Sequence, residues 1–408
     1  MNDDRAPTRS ARFPAEPISR FMARFLHVET ASGIVLLLFA LAAVVLANSP
    51  ASERFLSFWQ TPVGFSFGSF EMHHSLKHWI NDGLMVIFFF VIGLEVKREM
   101  VLGELRELRT ASLPMIAALG GMLAPAALYL SVQWGQPGQR GWGIPVATDI
   151  AFVVGCLAAL GRRVPHSLRI LLLSLAIADD IGAILVIAMG YSHSLHWWAL
   201  GCGVLGIGAV ILLARIGVRS ITVYALLGVG VWLGFHESGV HATIAGVILG
   251  LLTPAQPSIG KGLLAETLSP LERLETALHP WVSFGILPLF AFANAGVPVR
   301  AGAFANPVAI AVILGLMLGK PIGITLFSWL AVRTGLSRRP ADISWGVLAA
   351  GGVLAGIGFT MSLFITGLAL EEPLQDAAKV GILSASILCA AIGTALLLRL
   401  LPRPSQSR

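Results

Sequence analysis

Two adjacent aspartates, Asp179 and Asp180, lie inside the predominantly apolar run 168–190. Successive helical positions point about 100° apart, so at most one of the two side chains can face lipid, and an acidic residue at membrane depth is usually retained for function. Neighbouring carboxylates in a low dielectric couple their protonation. A small hard cation such as sodium or lithium prefers oxygen ligands and favours ionised carboxylates. Protons and such cations are therefore expected to compete for this pair.

Further polar residues lie within apolar runs elsewhere. Asp149 follows Thr148 in the segment 145–150, and Lys320 lies near the middle of the run 307–331. A buried lysine is unfavourable unless it is paired, and Asp149 is the expected partner. The alternative for Lys320 is that its side chain snorkels to a membrane interface. We predict that Thr148, Asp149 and Lys320 support the aspartate pair.

The polar residues around the start of the run 79–96 indicate function less clearly. Asp82 is a single carboxylate near the end of an apolar run, where a helix cap or an interfacial residue is the common explanation. His73, His74 and His78 precede it. They are compatible with a transition-metal site, but a solvated histidine cluster is the favoured interpretation. We predict an accessory role for Asp82 and expect no cofactor.

The composition places all these residues in a membrane protein. Of the 408 residues, 56% are hydrophobic and 12% charged, with a mean hydropathy of +0.80, values outside the range of soluble domains. A helix needs about 20 apolar residues to cross a bilayer. We predict an all-α protein with about twelve transmembrane helices, over the runs 32–48, 79–96, 112–133, 144–161, 168–190, 196–216, 221–235, 240–253, 281–297, 307–331, 346–369 and 378–400.

The positive charges give this topology an orientation. With the N-terminus inside, the inside segments hold 22 of the 28 Lys and Arg residues, as cytoplasmic loops should. Both termini are then cytoplasmic, as tails over 1–30 and 401–408 flanking one transporter domain over 31–400. The same distribution accounts for the net charge of +6 without a nucleic-acid partner, and the expected partner is membrane lipid.

Two of the predicted spans are interrupted by helix-breaking residues. Pro145 breaks the run 144–161, and glycines followed by Thr360 and Ser362 break the run 346–369. Short, Gly/Pro-interrupted spans indicate a transporter's binding site near the bilayer midplane. Each is the middle span of a triplet, one over 112–190 and the other over 307–400. The first triplet begins inside and the second outside, which predicts inverted three-helix repeats, although glycine-rich helix packing alone also explains the second interruption.

Seven motifs carry a resemblance to a known family. From about residue 20 to 400, the chain resembles the NhaA family of bacterial sodium/proton antiporters, and the seven motifs occur in the same order as in that family. These are WINDG at 79–83, GLEVKRE at 93–99, ATDIAF at 147–152, DDIGA at 179–183, SGVHAT at 238–243, LFAFANAG at 289–296 and GKP at 319–321.

The resemblance implies both a fold and an activity. It implies the NhaA-like arrangement of twelve helices, often as a homodimer, in the bacterial inner membrane. The activity would use the inward proton gradient to expel sodium or lithium, moving more protons than sodium ions per cycle, with Na⁺ bound at Asp179 and Asp180. Thr148 and Asp149 would lie where two broken helices cross, with Lys320 opposite. The transported ions would be Na⁺, Li⁺ and H⁺.

The resemblance also implies regulation by pH. A sensing cluster is expected near the cytoplasmic mouth, carried by Glu95, Arg98, Glu99, Glu275 and His279, with His241 as a further position linked to the pH response. From the residues alone, 95–107 is a solvated loop with ordinary salt bridges, which contribute little. Thr276 occupies a position at which members of the family can carry a histidine. The pH at which transport becomes active therefore does not follow from the resemblance.

Two other functions compete with exchange. An intramembrane aspartyl protease also uses two aspartates, but neither Asp149 nor Asp179 has the expected Gly-x-Gly-Asp or Tyr-Asp context, so we do not expect an enzyme. A sodium-coupled solute symporter on a related inverted-repeat fold is the nearer alternative. It requires a roomier cavity with groups for an organic substrate, which the sequence does not reveal.

Overall fold

The computed structural model describes residues 16–67, 70–191, 195–218, 220–255, 269–299 and 301–402, which are predominantly helical. The predicted N-terminal tail, 1–30, falls partly outside this range, and its described portion already belongs to a helix that begins at Glu16. Most of the predicted C-terminal tail, 401–408, also lies outside the described residues.

Eighteen α-helices and one β-hairpin make up the described chain. The helices are α1 (Glu16–Ala47), α2 (Ser52–Trp59), α3 (Leu76–His78), α4 (Met85–Val101), α5 (Leu108–Gln133), α6 (Ile150–Ala159), α7 (His166–Gly190), α8 (Trp197–Ile216), α9 (Ile221–Ser238), α10 (Thr243–Leu252), α11 (Pro270–Trp281), α12 (Leu287–Asn294), α13 (Ala301–Phe304), α14 (Pro307–Leu314), α15 (Lys320–Arg333), α16 (Trp345–Ala355), α17 (Phe359–Ala369) and α18 (Leu374–Leu400). The hairpin strands are β1 (Pro62–Phe67) and β2 (Phe70–Ser75), paired antiparallel.

Three π-helical turns join helices into longer ones, at Trp79–Leu84, Val282–Ile286 and Gly315–Gly319. Such turns are rare and often occur at functional sites. The first contains Asp82, and the third ends immediately before Lys320. The turns therefore lie next to residues that the sequence singled out.

The prediction that the chain contains membrane-spanning helices is confirmed, but the predicted number of spans is not. Within the described residues, seven helices are long and apolar enough to cross a membrane, and ten spans result if each bent helix pair counts as one. Every predicted run coincides with helix, but α10 has only 10 residues, a length of about 15 Å, roughly half of the hydrocarbon thickness. The count of twelve spans is not confirmed.

Both predicted interruptions are present in the structure. The 3₁₀ segment Pro137–Val146 meets α6 at a bend of 43°, and α16 meets α17 at 49°. Backbone groups freed by such breaks need partners inside protein. Asp149 caps α6 by accepting a hydrogen bond from Phe152 N at 3.3 Å, and Ser362 Oγ donates to the Ile144 carbonyl at 2.7 Å. The broken spans therefore satisfy part of their own polar backbone.

Helices α5 and α15 lie in the first spans of the two predicted triplets and pack against each other. A Cβ atom on Gly323 would lie 2.7 Å from the carbonyl carbon of Gly120, closer than real Cβ contacts. Small residues allow such close backbone approach between membrane helices. The triplets thus meet along their first spans, while the opposed orientation of the two triplets stays a prediction.

Helix burial separates the centre of the bundle from its edge. In the most apolar 18-residue window of each helix, 61% of the residues of α7 are buried, against 11% for α8. Because lipid is as apolar as leucine, an exposed apolar helix in a bilayer is expected at the protein's edge. The helix that carries Asp179 and Asp180 is therefore central, and polar groups on it are shielded by protein.

Candidate functional site

Four deeply buried polar and charged residues form one group, here called the inner cluster, consisting of Thr148, Asp179, Asp180 and Lys320. Each of these four side chains belongs to a residue that is at most 4% exposed. The Lys320 ammonium donates to Asp179 Oδ2 and to Thr148 Oγ1, both at 2.5 Å, and to the Val146 carbonyl at 2.6 Å. Thr148 Oγ1 also donates to Asp179 Oδ2 at 2.6 Å.

The ion pair of Lys320 corrects one prediction from the sequence. Lys320 pairs with Asp179 and not with Asp149, the partner expected from the sequence. The Asp149 carboxylate is turned toward the second interrupted span, where Oδ2 accepts hydrogen bonds from Thr360 N at 3.0 Å and Thr360 Oγ1 at 2.5 Å. Asp149 Oδ1 caps α6. Asp149 therefore connects the break before α6 to the break between α16 and α17.

The breaks of the two interrupted spans are in direct contact. Asp149 N donates to the Ile357 carbonyl at 2.7 Å, and Thr148 Oγ1 lies 2.9 Å from the Ala355 carbonyl. Residues 148–149 thus bond to residues 355–360 through both backbone and side chains. A movement of either broken helix is therefore transmitted to the inner cluster.

Each aspartate of the pair has one oxygen without a protein donor. Asp179 Oδ1 and Asp180 Oδ1 are buried and accept no hydrogen bond from any residue that the structure describes. An unsatisfied buried oxygen is unfavourable, and oxygen atoms are the ligands that small hard cations prefer. The two carboxylates therefore offer an oxygen-lined position to a proton or a metal cation.

The charges of the inner cluster do not balance. With both carboxylates ionised, two negative charges would face one ammonium group, in a region where isolated charge is strongly disfavoured. A single added positive charge would neutralise the three charged groups. Either a proton on one carboxylate or a bound monovalent cation supplies this one positive charge. The arrangement can therefore exchange one for the other.

A second group of charged residues is less deeply buried, apart from Glu275, which is itself only 5% exposed. This Arg98 cluster consists of Glu95, Arg98, Glu99, Glu275 and His279. Arg98 lies 2.5 Å from Glu275 and 3.4 Å from Glu99, and His279 lies 3.6 Å from Glu95. The structure thus brings together all five residues that the family resemblance assigned to one cluster.

Two predicted residues lie apart from both clusters. His241 lies between α9 and α10, with Nδ1 at 2.6 Å from Thr243 Oγ1 and its ring 5.5 Å from that of Phe364. Asp82 lies in the π-helical turn that precedes α4, 3.6 Å from His78 and 3.9 Å from His236. The structure therefore does not place Asp82 at the inner cluster.

An amide pair between a buried and a half-buried asparagine was not predicted from the sequence. Asn294 Nδ2 donates to Asn81 Oδ1 at 2.8 Å, and Asn81 Nδ2 donates to Asn294 Oδ1 at 3.3 Å. The reciprocal bonds join the first π-helical turn to the end of α12. The only signal in the sequence was a polar amide in each of two apolar motifs, at 79–83 and 289–296, which does not indicate the pairing.

A cavity of about 620 Å³ leads toward the inner cluster. It is bordered by Ser167, Leu171 and Ser174 of α7 and, on another side, by Arg338. Ser174 precedes Asp179 by five residues, a rise of about 7.5 Å along the helix. The cavity, which is lined mainly by apolar groups, thus reaches along α7 to within about two helical turns of the aspartate pair.

Comparisons with known proteins identify the relatives of the chain. The model of the family described as Na+/H+ antiporter 1 matches residues 23–397. A protein named Na(+)/H(+) antiporter NhaA from Rhodopirellula baltica is 52% identical, with 96% of this chain and 98% of the relative covered. Its namesake from Rhizobium meliloti is 50% identical, with 96% and 97% covered.

A solved structure supports the fold. The sodium proton antiporter MjNhaP1 from Methanocaldococcus jannaschii superposes with a TM-score of 0.52, covering 94% of this chain and 99% of that one. At 15% sequence identity, this likeness concerns the fold alone.

Proposed function

This chain belongs to the Na+/H+ antiporter 1 family, and on that premise we propose that it exchanges sodium or lithium ions for protons at Asp179 and Asp180. The observation that carries the proposal is the inner cluster. Two buried carboxylates, each with one oxygen that lacks a described protein donor, stand beside a single buried ammonium group. The membrane-spanning helices and the NhaA relatives accord with a multi-pass membrane transporter.

Exchange follows from the charge of the inner cluster. When Asp180 is protonated and the ion pair between Lys320 and Asp179 is intact, the three groups sum to zero. When both carboxylates are ionised and a sodium ion binds their oxygens, the sum is again zero. The intermediate state with neither cation carries a buried net charge and is disfavoured. Sodium binding therefore expels a proton, and proton binding expels sodium, and the excess of protons over sodium ions that the resemblance implies requires a further proton beyond this charge count.

Access to the pair must alternate between the two sides of the membrane. The cavity along α7 provides one approach, from the side that bears Arg338. The contact between the two helix breaks provides a pivot, since Thr148 and Asp149 are bonded to residues 355–360. Interrupted helices at the midplane are a common device of such transporters. The cycle reorients these breaks only when the inner cluster is neutral.

The Arg98 cluster is assigned to regulation by pH. The contact between His279 and Glu95 is an ion pair only while the imidazole is protonated. Arg98 remains charged and holds Glu275 throughout. Loss of the proton from His279 leaves Glu95 without that partner and changes the field near α4. The excess of Lys and Arg in the segments predicted to lie inside supports a cytoplasmic location for this side and for both termini in a bacterial cell, and the family resemblance favours a homodimer.

The decisive experiment uses everted membrane vesicles with an imposed pH gradient. Sodium or lithium should collapse the gradient in vesicles that contain the wild-type chain, and potassium should not. Asp179→Asn and Asp180→Asn should each abolish the effect. Asp376→Asn is the matched control, because the Asp376 side chain is 46% exposed. Failure of wild-type vesicles with both ions from about pH 6.5 to 9, or full activity in the Asn variants, would refute the proposal.

A sodium-coupled symporter predicts a different result in the same vesicles. Sodium alone would then leave the pH gradient intact, and collapse would require an organic solute. Parallel additions of sodium with and without a mixture of small solutes separate the two functions.

A further inference from the structure

Three imidazole side chains converge at one end of the bundle, away from the inner cluster. His74 lies on β2, His78 ends α3 and His236 lies near the end of α9. One potential ligand atom from each lies within 4.8 Å of the other two. The residues come from the hairpin, from the start of the second span and from a helix much later in the chain, so the convergence is tertiary.

A carboxylate completes the group. Asp82 Oδ2 lies 3.6 Å from His78 Nε2 and 3.9 Å from His236 Nδ1. His78 Nε2 is buried and has no hydrogen-bond partner among the residues that the structure describes. A buried ring nitrogen without a hydrogen bond is unfavourable unless something else satisfies it. The nitrogen and the carboxylate oxygen face each other at a distance too long for a hydrogen bond.

We propose that His74, His78, His236 and Asp82 bind a divalent transition-metal ion such as zinc. Zinc is usually held by four ligands, and imidazole nitrogen and carboxylate oxygen bind it at about 2.0–2.2 Å. Tetrahedral ligands at that distance lie about 3.3 Å apart, so side-chain rotations that bring the atoms closer by an ångström or so complete the site. Sodium, magnesium and calcium prefer oxygen ligands, which distinguishes this site from the transport site.

The surroundings hold the histidines in place. The His74 and His78 rings are stacked with centroids 4.1 Å apart, and the Trp232 ring stacks on His236 at 5.4 Å. Aromatic stacking limits ring rotation, and a pre-oriented ligand binds metal with less loss of entropy. A bound ion ties α9 and the hairpin to the start of the second span.

The structure also revises the sequence interpretation of these histidines. The sequence alone favours a solvated cluster of His73, His74 and His78. His73 and His74 are neighbours on a strand, where successive side chains point to opposite faces. His74 belongs to the converging group and His73 does not, and the third histidine of the group is His236. The His236 side chain is 14% exposed and is shielded from solvent, whereas the His78 side chain is 37% exposed.

The test is direct metal binding to purified protein without a polyhistidine tag. After removal of metal with a chelator, calorimetric titration with zinc should give one ion bound per chain. His78→Ala and His236→Ala should each weaken that binding at least about tenfold, the lower end of what loss of even a supporting group costs. His73→Ala is the matched control and should bind zinc like the wild type. Magnesium should give no heat of binding.

Thermal unfolding keeps the result decisive if a variant is unstable. Zinc should raise the melting temperature of the wild type and of His73→Ala but not of His78→Ala, because only a ligand that binds the native state stabilises it. If an alanine variant does not fold without zinc, His78→Gln and Asp82→Asn replace it. Absence of zinc binding by the wild type, or equal binding by the His78 and His236 variants, would overturn the proposal.

Discussion

The inner cluster and the Arg98 cluster contain similar groups in different surroundings. The side chains of Lys320 and Asp179 are 0% exposed, whereas the ion-paired side chains of the Arg98 cluster are 7% to 17% exposed. The inner cluster opposes two carboxylates to one cation. The Arg98 cluster opposes three carboxylates to one permanent cation and one histidine.

This difference separates two roles. In a fully buried group, no water molecule can replace a partner that is lost. The loss of one member therefore leaves the charges of the others uncompensated. A partly exposed group is screened and tolerates a change of charge at a smaller cost. We therefore expect substitutions in the inner cluster to abolish function or destabilise the fold, and substitutions in the Arg98 cluster to adjust function.

The largest effect on stability is expected for Lys320→Ala. Removal of one partner of a buried ion pair leaves the other charge uncompensated, and this typically costs about 3–5 kcal/mol. The melting temperature in detergent should fall markedly, and the second substitution Asp179→Asn should restore much of the loss. A double variant that is no more stable than Lys320→Ala alone would contradict the pairing seen between Lys320 and Asp179.

An intermediate effect is expected for Thr360→Val, which removes one donor to Asp149 and nearly preserves side-chain shape. Hydrogen bonds to charged groups contribute about 1.5–3 kcal/mol each. The variant should be less stable by about that amount, and its maximal exchange rate should fall because the contact between the helix breaks is weakened. Thr334→Val is the control, since that exposed hydroxyl bonds only within its own helix end. Equal behaviour of the two variants would count against a structural role for the contact.

The smallest effect is expected for Arg98→Lys. Lysine keeps the charge but loses the planar fork that contacts both Glu275 and Glu99. The maximal exchange rate should be retained, while the pH of half-maximal activity moves upward by up to about one unit, equivalent to about 1.4 kcal/mol. In general, a carboxylate that faces a less well-placed cation keeps its proton to higher pH. Arg106→Lys, an exposed position, should leave the profile unchanged, and an unshifted profile for Arg98→Lys would remove the cluster from regulation.

The sequence predicted the membrane-spanning fold and the interrupted spans because local features determine them. Apolar runs record burial in lipid, and Pro145 and the glycines of 351–358 lie next to the two breaks, although prolines alone do not decide a break, since Pro114 and Pro125 lie within the continuous helix α5. The number of spans was less predictable. The run 240–253 is apolar, but the helix within it covers only Thr243–Leu252, since the preceding residues form the turn that contains His241.

The sequence did not predict which of the buried polar side chains contact each other. Asp149 and Asp179 are both acidic residues at membrane depth, and only the crossing of the helix breaks turns the first toward Thr360 and leaves the second for Lys320. The association of His236 with His78 has the same origin, because the two residues are far apart in the chain and share no motif.

Competition between sodium and protons for one buried pair is most directly tested by sodium-induced proton release. Purified protein in a weakly buffered potassium solution at alkaline pH receives a small addition of sodium or lithium, and the released protons are followed with a pH indicator. We predict release from the wild type and from Asp376→Asn, with potassium giving none. Asp179→Asn and Asp180→Asn should release little or nothing. Release from Asp180→Asn equal to that of the wild type would contradict exchange at the aspartate pair.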